Sequence, residues 1–279
     1  MTVGFIGLGQ MGAPMAGHLV GHGLVVYDAR PDAAQPLVKA GARAAGSVAE
    51  VARHADLISL MVRDDAQVRE VAEEILASAR EGTVLAIHST IGARTAEELA
   101  ERARPYGIEV VDAPVSGGFM GASAGTLAVM VGGTDEAFEK CREPFGTWAD
   151  LVLHMGPVGA GTRTKLARNL LHFVAFTAAA EAQRLAEASG VSLRKLGRVV
   201  RHTDAITGGA GSIMLRGTTA PMAPDDELYD ILDNARSLGE KDLTLALELA
   251  GELGVDAPFA RLALERFAAG LGLPDRKGA

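Results

Sequence analysis

Residues 3–20 read Val3-Gly-Phe-Ile6-Gly7-Leu8-Gly9-Gln10-Met11-Gly12-Ala13-Pro-Met-Ala-Gly-His18-Leu-Val20: an apolar run, a glycine-spaced turn and a helical pattern in immediate succession. Val3–Ile6 is the continuous apolar run expected of a strand buried on both faces. Gly7 permits a tight strand-to-helix turn, and Gly9 keeps a side chain out of the space a pyrophosphate would take. Gly12 lets the helix approach the strand, and the free N–H groups at the helix start favour a phosphate. Glycine turns are common, so the flanking strand and helix carry the argument. The next apolar run, Leu24–Tyr27, ends at Asp28, about twenty residues beyond Gly7, the offset of a carboxylate that binds an adenine ribose. Asp28 alone also reads as a solvated residue opening a turn at Arg30-Pro31-Asp32.

Further runs at Leu57–Val62, Val84–Ile87, Glu109–Ala113, Leu127–Val131 and Leu151–His154 extend the strand pattern. Helix signals separate them: Asp64 or Asp65 before Ala66–Ala77, a capping box at Thr95-Ala-Glu-Glu98, and Asp135 at the start of the run carrying Phe138. This alternation predicts an α/β fold with an N-terminal Rossmann-type domain, a mostly parallel sheet with helices on both faces. From Gly159 to about Ser189 no proline interrupts an alanine-dense stretch that reads as one long helix. Helical runs follow at Val191–His202, Ala235–Leu253 and Pro258–Ala269, with a broken, loop-like segment at Asp204–Pro224. The domains are therefore placed at 1–158 for dinucleotide binding and 159–279 for an all-α C-terminal domain. Long alanine-rich helices with apolar sides need partners, which points to a homodimer or homotetramer.

Apolar residues at 48 % and charged residues at 22 % suit a soluble protein with a substantial core. The net charge of −8, with no basic face, argues against nucleic acid. A few well-placed cations can still bind a small anion. The lone Cys141, in a polar stretch, excludes an intrachain disulfide and reads as an incidental thiol. No signal-peptide pattern opens the chain, and Asn169–Ala180 is too short for a bilayer, which needs ~20 residues. A cytoplasmic protein without membrane attachment is the expectation. The seven histidines form no metal-ligand spacing, so no metal is assigned.

Two segments carry candidate chemistry. Asp112-Ala-Pro-Val-Ser116-Gly117-Gly118 follows a strand, and its serine hydroxyl and glycine N–H groups suit a substrate carboxylate; a flexible loop fits the residues equally well. Lys165 and Asn169 share a face of the long helix, where a lysine is either solvated or catalytic. Lys241-Asp242 on a later helix reads by itself as an exposed charged pair.

Taken together, GFIGLGQMGAPMAGHL, DAPVSGG, GAGTRTKLARNLL and GEKDLTLALELA resemble, in order and approximate spacing, the β-hydroxyacid dehydrogenase family. That family includes 3-hydroxyisobutyrate dehydrogenases and tartronate semialdehyde reductases and is related to 6-phosphogluconate dehydrogenases. The resemblance covers nearly the whole chain and implies a nicotinamide cofactor, a small hydroxy acid or semialdehyde substrate, and a helical domain that often builds dimers or tetramers. It implies that Lys165 is the general acid and base and that Asn169 holds the substrate oxygen. Ser116, Gly117 and Gly118 would bind the carboxylate, and Lys241 would serve substrate and cofactor. The cofactor set is Gly7, Leu8, Gly9, Gln10, Met11, Gly12, Asp28, Ala29, Arg30, Met61, Val62 and the Ser89-Thr90 pair beside the nicotinamide. Asp28 favours NAD over NADP, because its carboxylate repels an added phosphate, although Arg30 could accept one. Arg168 departs from the family pattern; one turn from Lys165, it could lower the lysine pKa or meet a second anionic group on the substrate.

Two rivals remain. An imine-reductase-like enzyme shares the two-domain plan, but such enzymes usually lack the lysine and the DAPVSGG pattern. A non-catalytic dinucleotide-binding module would need the glycine turn without Lys165, Asn169 and Ser116. A short-chain dehydrogenase requires Tyr-x-x-x-Lys, and Pro31, Val110 and Asp233 stand where the three tyrosines would need a lysine.

Overall fold

Alternate residues along the first strands enter opposite cores, and this alternation builds the N-terminal half. Val3, Phe5, Leu57, Val84, Ala86 and Val111 pack in one buried cluster with Met15, Leu19, Phe145 and Trp148. Ile6, Ile58, Leu60, Leu85, Ile87 and Val110 pack in the other, against Val51, Val68, Ile75 and Leu99. A sheet apolar on both faces must be covered on both, and helices cover it.

The computed structural model describes residues Met1–Pro274. The chain runs β1 (Val3–Ile6), α1 (Gly12–Gly17), β2 (Val25–Tyr27), α2 (Gln35–Lys39), β3 (Arg43–Ala44), α3 (Val48–His54) and β4 (Leu57–Leu60). It continues with α4 (Asp65–Leu76), β5 (Val84–Ile87), α5 (Ala93–Ala103), β6 (Glu109–Asp112), β7 (Val115–Ser116) and α6 (Gly118–Ala124). Then come β8 (Leu127–Gly132), α7 (Asp135–Phe145), β9 (Ala149–Gly156) and the long α8 (Ala160–Ala188). The last helices are α9 (Leu193–Thr207), α10 (Tyr229–Glu252) and α11 (Pro258–Gly270). The strand order is β3-β2-β1-β4-β5-β6-β8-β7, with β9 on the free side of β8. Pairing is parallel except where β8 meets β6 and β7. The fold is therefore a Rossmann-type, mostly parallel sheet with helices, followed by a helical C-terminal part.

Two compact units emerge, Met1–Arg168 and Asn169–Ala279, divided within α8. In the second unit Met222, Leu232, Leu271 and Leu273 form a small core. Glu181 on α8 is buried, and its carboxylate accepts the N–H groups of Phe259 and Ala260 at 2.9 and 3.0 Å, capping α11 from another helix. No helix among the described residues is long and apolar enough to cross a membrane.

Several local expectations are corrected. The capping box at Thr95 does not form: α5 starts at Ala93, and Thr95 lies buried in its first turn, its hydroxyl donating to Asp65 Oδ1 at 2.5 Å. Asp135 is the first residue of α7 as its position implies, behind the cap Thr134, whose Oγ1 accepts from the N–H of Ala137. α10 starts at Tyr229 rather than Ala235, and α9 runs on to Thr207 before the chain breaks into turns. Asp64 caps α4 as its position implies.

Candidate active site

The glycine turn opens onto a cavity of about 730 Å³. Gly7, Gly9, Gln10, Met11, Gly12, Asp28, Ala29, Arg30, Met61 and Val62 all line it. Gly7 has φ +93°, and a Cβ there would collide with the Met61 carbonyl. A Cβ on Gly9 would meet nothing of the chain and would instead stand in open space. Met11, the N-cap of α1, makes no side-chain capping bond, which leaves the helix start to an outside acceptor. The cavity thus suits a dinucleotide pyrophosphate.

Asp28 is fixed before any ligand arrives. Its Oδ2 accepts the Leu8 N–H at 2.7 Å and its Oδ1 the Arg30 N–H at 2.9 Å. The Arg30 guanidinium lies 3.5 Å away and is largely exposed. Leu8 contributes only its backbone, since its side chain is buried in the core. Ser89 does not line the cavity. It is buried, and its Oγ accepts the Val62 N–H at 2.9 Å and donates to the Val62 carbonyl at 2.7 Å, so it ties β4 to β5. Thr90 is exposed.

The second group of residues gathers where β6, β7 and α8 meet. Lys165 is 9 % exposed, and its Nζ donates to the Val115 carbonyl at 2.6 Å. Ser116, Gly117 and Gly118 follow directly; both glycines take positive φ, at +130° and +62°, and are exposed. Burial holds the Lys165 ammonium below the ordinary lysine range, and the nearby Arg168 charge adds to the effect. An amine whose proton is held less tightly than an ordinary lysine's can exchange it with a hydroxyl or carbonyl brought within hydrogen-bond reach. Asn169 lies one turn further along α8 and is half-buried. Lys241 sits on α10 in the second unit, exposed, with its Nζ 3.1 Å from Asp242.

Asp112 was missed as a site residue, although it opens the DAPVSGG stretch. It is fully buried, and its two carboxylate oxygens accept the N–H groups of Gly159 and Thr162, each at 2.6 Å. The pairing joins residues far apart in sequence, so no local pattern reveals it. His88, one of the seven histidines, lies buried between Ser59 and Ala113 and packs on Phe5, Phe145 and Trp148.

Residues 2–156 match the family model described as the NAD binding domain of 6-phosphogluconate dehydrogenase. Residues 159–275 match that described as NAD-binding of NADP-dependent 3-hydroxyisobutyrate dehydrogenase. An uncharacterized oxidoreductase of Mycobacterium tuberculosis is 58 % identical over 277 residues, covering 98 % of this chain and 94 % of that protein. The crystal structure of a putative oxidoreductase from Mycobacterium avium is similar at a TM-score of 0.95 and 54 % identity, covering 98 % of this chain and 99 % of that one. The Mycobacterium tuberculosis 3-hydroxyisobutyrate dehydrogenase, solved with L-serine, gives a TM-score of 0.68 at 34 % identity, covering 98 % of this chain and 95 % of that one. With both halves matched and the glycine-lined cavity in place, the chain belongs to the β-hydroxyacid dehydrogenase family as an oxidoreductase that binds a nicotinamide dinucleotide.

Proposed function

We propose that this protein transfers a hydride between NAD and a small β-hydroxy acid of the 3-hydroxyisobutyrate kind, or its semialdehyde, with Lys165 as general acid and base. The observation that carries this reading is the burial of Lys165 with its ammonium at the Val115 carbonyl, one residue before Ser116. The bound nicotinamide supplies or takes the hydride. Lys165, with its pKa lowered by burial, takes the hydroxyl proton in oxidation and returns it in reduction. Ser116 and the N–H groups of Gly117 and Gly118 hold the carboxylate. Asn169 orients the reacting oxygen, and Lys241 adds a cation for substrate or cofactor; both assignments rest on the family resemblance. Residues 1–158 then serve as the dinucleotide domain and residues 159–279 as the helical substrate and dimerisation domain.

Preference for NAD is supported by the carboxylate of Asp28 and by Glu70 and Glu74 on the same cavity wall, which disfavour an added phosphate. Leu170, Phe173, Val174 and Phe176 stand exposed on α8, which supports a second copy of the chain covering them.

The test is nicotinamide absorbance with purified protein, NAD or NADP, and a panel of 3-hydroxyisobutyrate, L-serine and glycerate. Turnover of one of these acids with NAD as the better cofactor supports the proposal. Cofactor binding without turnover of any β-hydroxy acid, or turnover of cyclic imines instead, overturns it.

A further inference from the structure

We infer that Asp112 is a positioning residue for Lys165: its carboxylate holds the start of α8 against the end of β6 and thereby sets where the lysine amine stands. The inference rests on the catalytic reading of Lys165 given above.

The first intrahelical bond of α8 runs from the Arg163 N–H to the Gly159 carbonyl, so Gly159 is the N-cap and Thr162 is the third helical residue. A helix start normally satisfies the N–H groups of those two positions with its own side chains, in a reciprocal capping box. Glycine has no side chain to offer. Here a single carboxylate, from a strand 47 and 50 residues away, accepts both N–H groups at 2.6 Å. Three residues beyond Asp112, the Val115 carbonyl receives the Lys165 Nζ, also at 2.6 Å. The short segment 112–115 therefore grips α8 twice, at its cap and at the amine one turn further on. Any slip of the helix start relative to β6 moves Nζ relative to Ser116 and Gly117.

The surrounding packing fits such a fixed start. A Cβ on Gly161 would collide with the Met130 and Asp112 carbonyl oxygens, and one on Gly132 with Asp112 Oδ1. No side chain separates the helix from the strand ends. Burial pushes the Asp112 carboxyl above its ordinary value, and the N–H groups of Thr162 and Gly159 only partly offset this.

The experiment compares wild type, Asp112→Asn and Lys165→Ala. An amide keeps the volume but has only one acceptor oxygen, so one of the two helix N–H groups loses its partner. Trace labelling with acetic anhydride across pH, read by peptide mass spectrometry, gives the titration midpoint of Lys165 against the exposed Lys39 and Lys195. Cofactor binding by fluorescence checks the dinucleotide half. The expected result for Asp112→Asn is a Lys165 midpoint moved up toward the ordinary lysine value of 10.5, with kcat lowered about 100-fold and cofactor affinity changed less than about twofold. Unchanged Lys165 labelling overturns the inference, as does shifted labelling with full turnover when Lys165→Ala is inactive. If labelling shifts while both variants keep full turnover, the clamp on the lysine stands and the catalytic reading of Lys165 fails. Should Asp112→Asn not fold, Asp112→Ser, which keeps one acceptor and adds no bulk, is read by the same criteria.

Discussion

The Lys165 ammonium donates to the Val115 carbonyl at 2.6 Å, so the residue before Ser116 fixes the amine. Because burial favours its neutral form, Lys165 loses its proton at lower pH than an ordinary lysine, and as the proposed base it should become competent there. The rate of hydroxy acid oxidation should rise with pH and reach its plateau through a midpoint below 10.5, the ordinary lysine value. A pH profile of kcat checks this; a midpoint at or above 10.5 would remove Lys165 as the titrating base.

Arg168 contributes to the same shift as the second cause after burial. Replacing it by Gln removes a positive charge that disfavours the ammonium, so the midpoint in the Arg168→Gln profile should move to higher pH. Identical profiles for the two proteins would show that the guanidinium does not act on the lysine.

Asp28 has both oxygens tied to backbone N–H groups, those of Leu8 and Arg30. Asp28→Asn keeps the shape and removes the charge. NADP should gain on NAD by about tenfold in kcat/KM, equivalent to ~1.4 kcal/mol, as repulsion of the added phosphate is lost. Unaltered discrimination between the cofactors would exclude Asp28 as the residue that reads the ribose.

Much of this was legible in the sequence, and what was not has a common cause. The glycine turn, Asp28 and the strands follow from local rules of spacing and alternation, and the structure puts Gly7, Gly9, Gly12 and Asp28 on one cavity. Non-local pairing hid the rest. Thr95 looks like a cap because Glu98 follows it, yet its hydroxyl goes to Asp65 on another helix. Ser89, which the resemblance places beside the nicotinamide, bonds through its hydroxyl to the Val62 backbone, a pairing across 27 residues that spacing does not reveal. Asp112 caps a helix that begins far downstream, and its neighbours carry no sign of that partner. The segment from Pro31 to His54 folds into elements too short for periodicity to register.

His88 offers a test of the core rather than of catalysis. Its Nδ1 must be the protonated nitrogen, because its partner, the Ala113 carbonyl at 2.8 Å, can only accept; Nε2 then accepts from the Ser59 hydroxyl at 3.0 Å. Complete burial lowers its pKa from 6.5 to about 4, against a smaller opposing effect of the Ala113 bond. The unfolded chain binds the proton first as pH falls. The contribution of neutral His88 is therefore full above pH 6.5 and is lost as pH drops toward 4, an amount on the order of 3 kcal/mol. Denaturant melts of wild type and His88→Gln at stepped pH should show a loss in this window that is much smaller in the variant. Equal losses in both proteins would assign the acid sensitivity to other groups.

The most direct test of the central claim is single-turnover hydride transfer with Lys165→Ala, using NAD and the best β-hydroxy acid of the panel. The expected result is intact NAD binding with the hydride step slowed about 100- to 10,000-fold, the range for a lost general base. A hydride step that keeps its wild-type rate without the Lys165 amine would contradict the account.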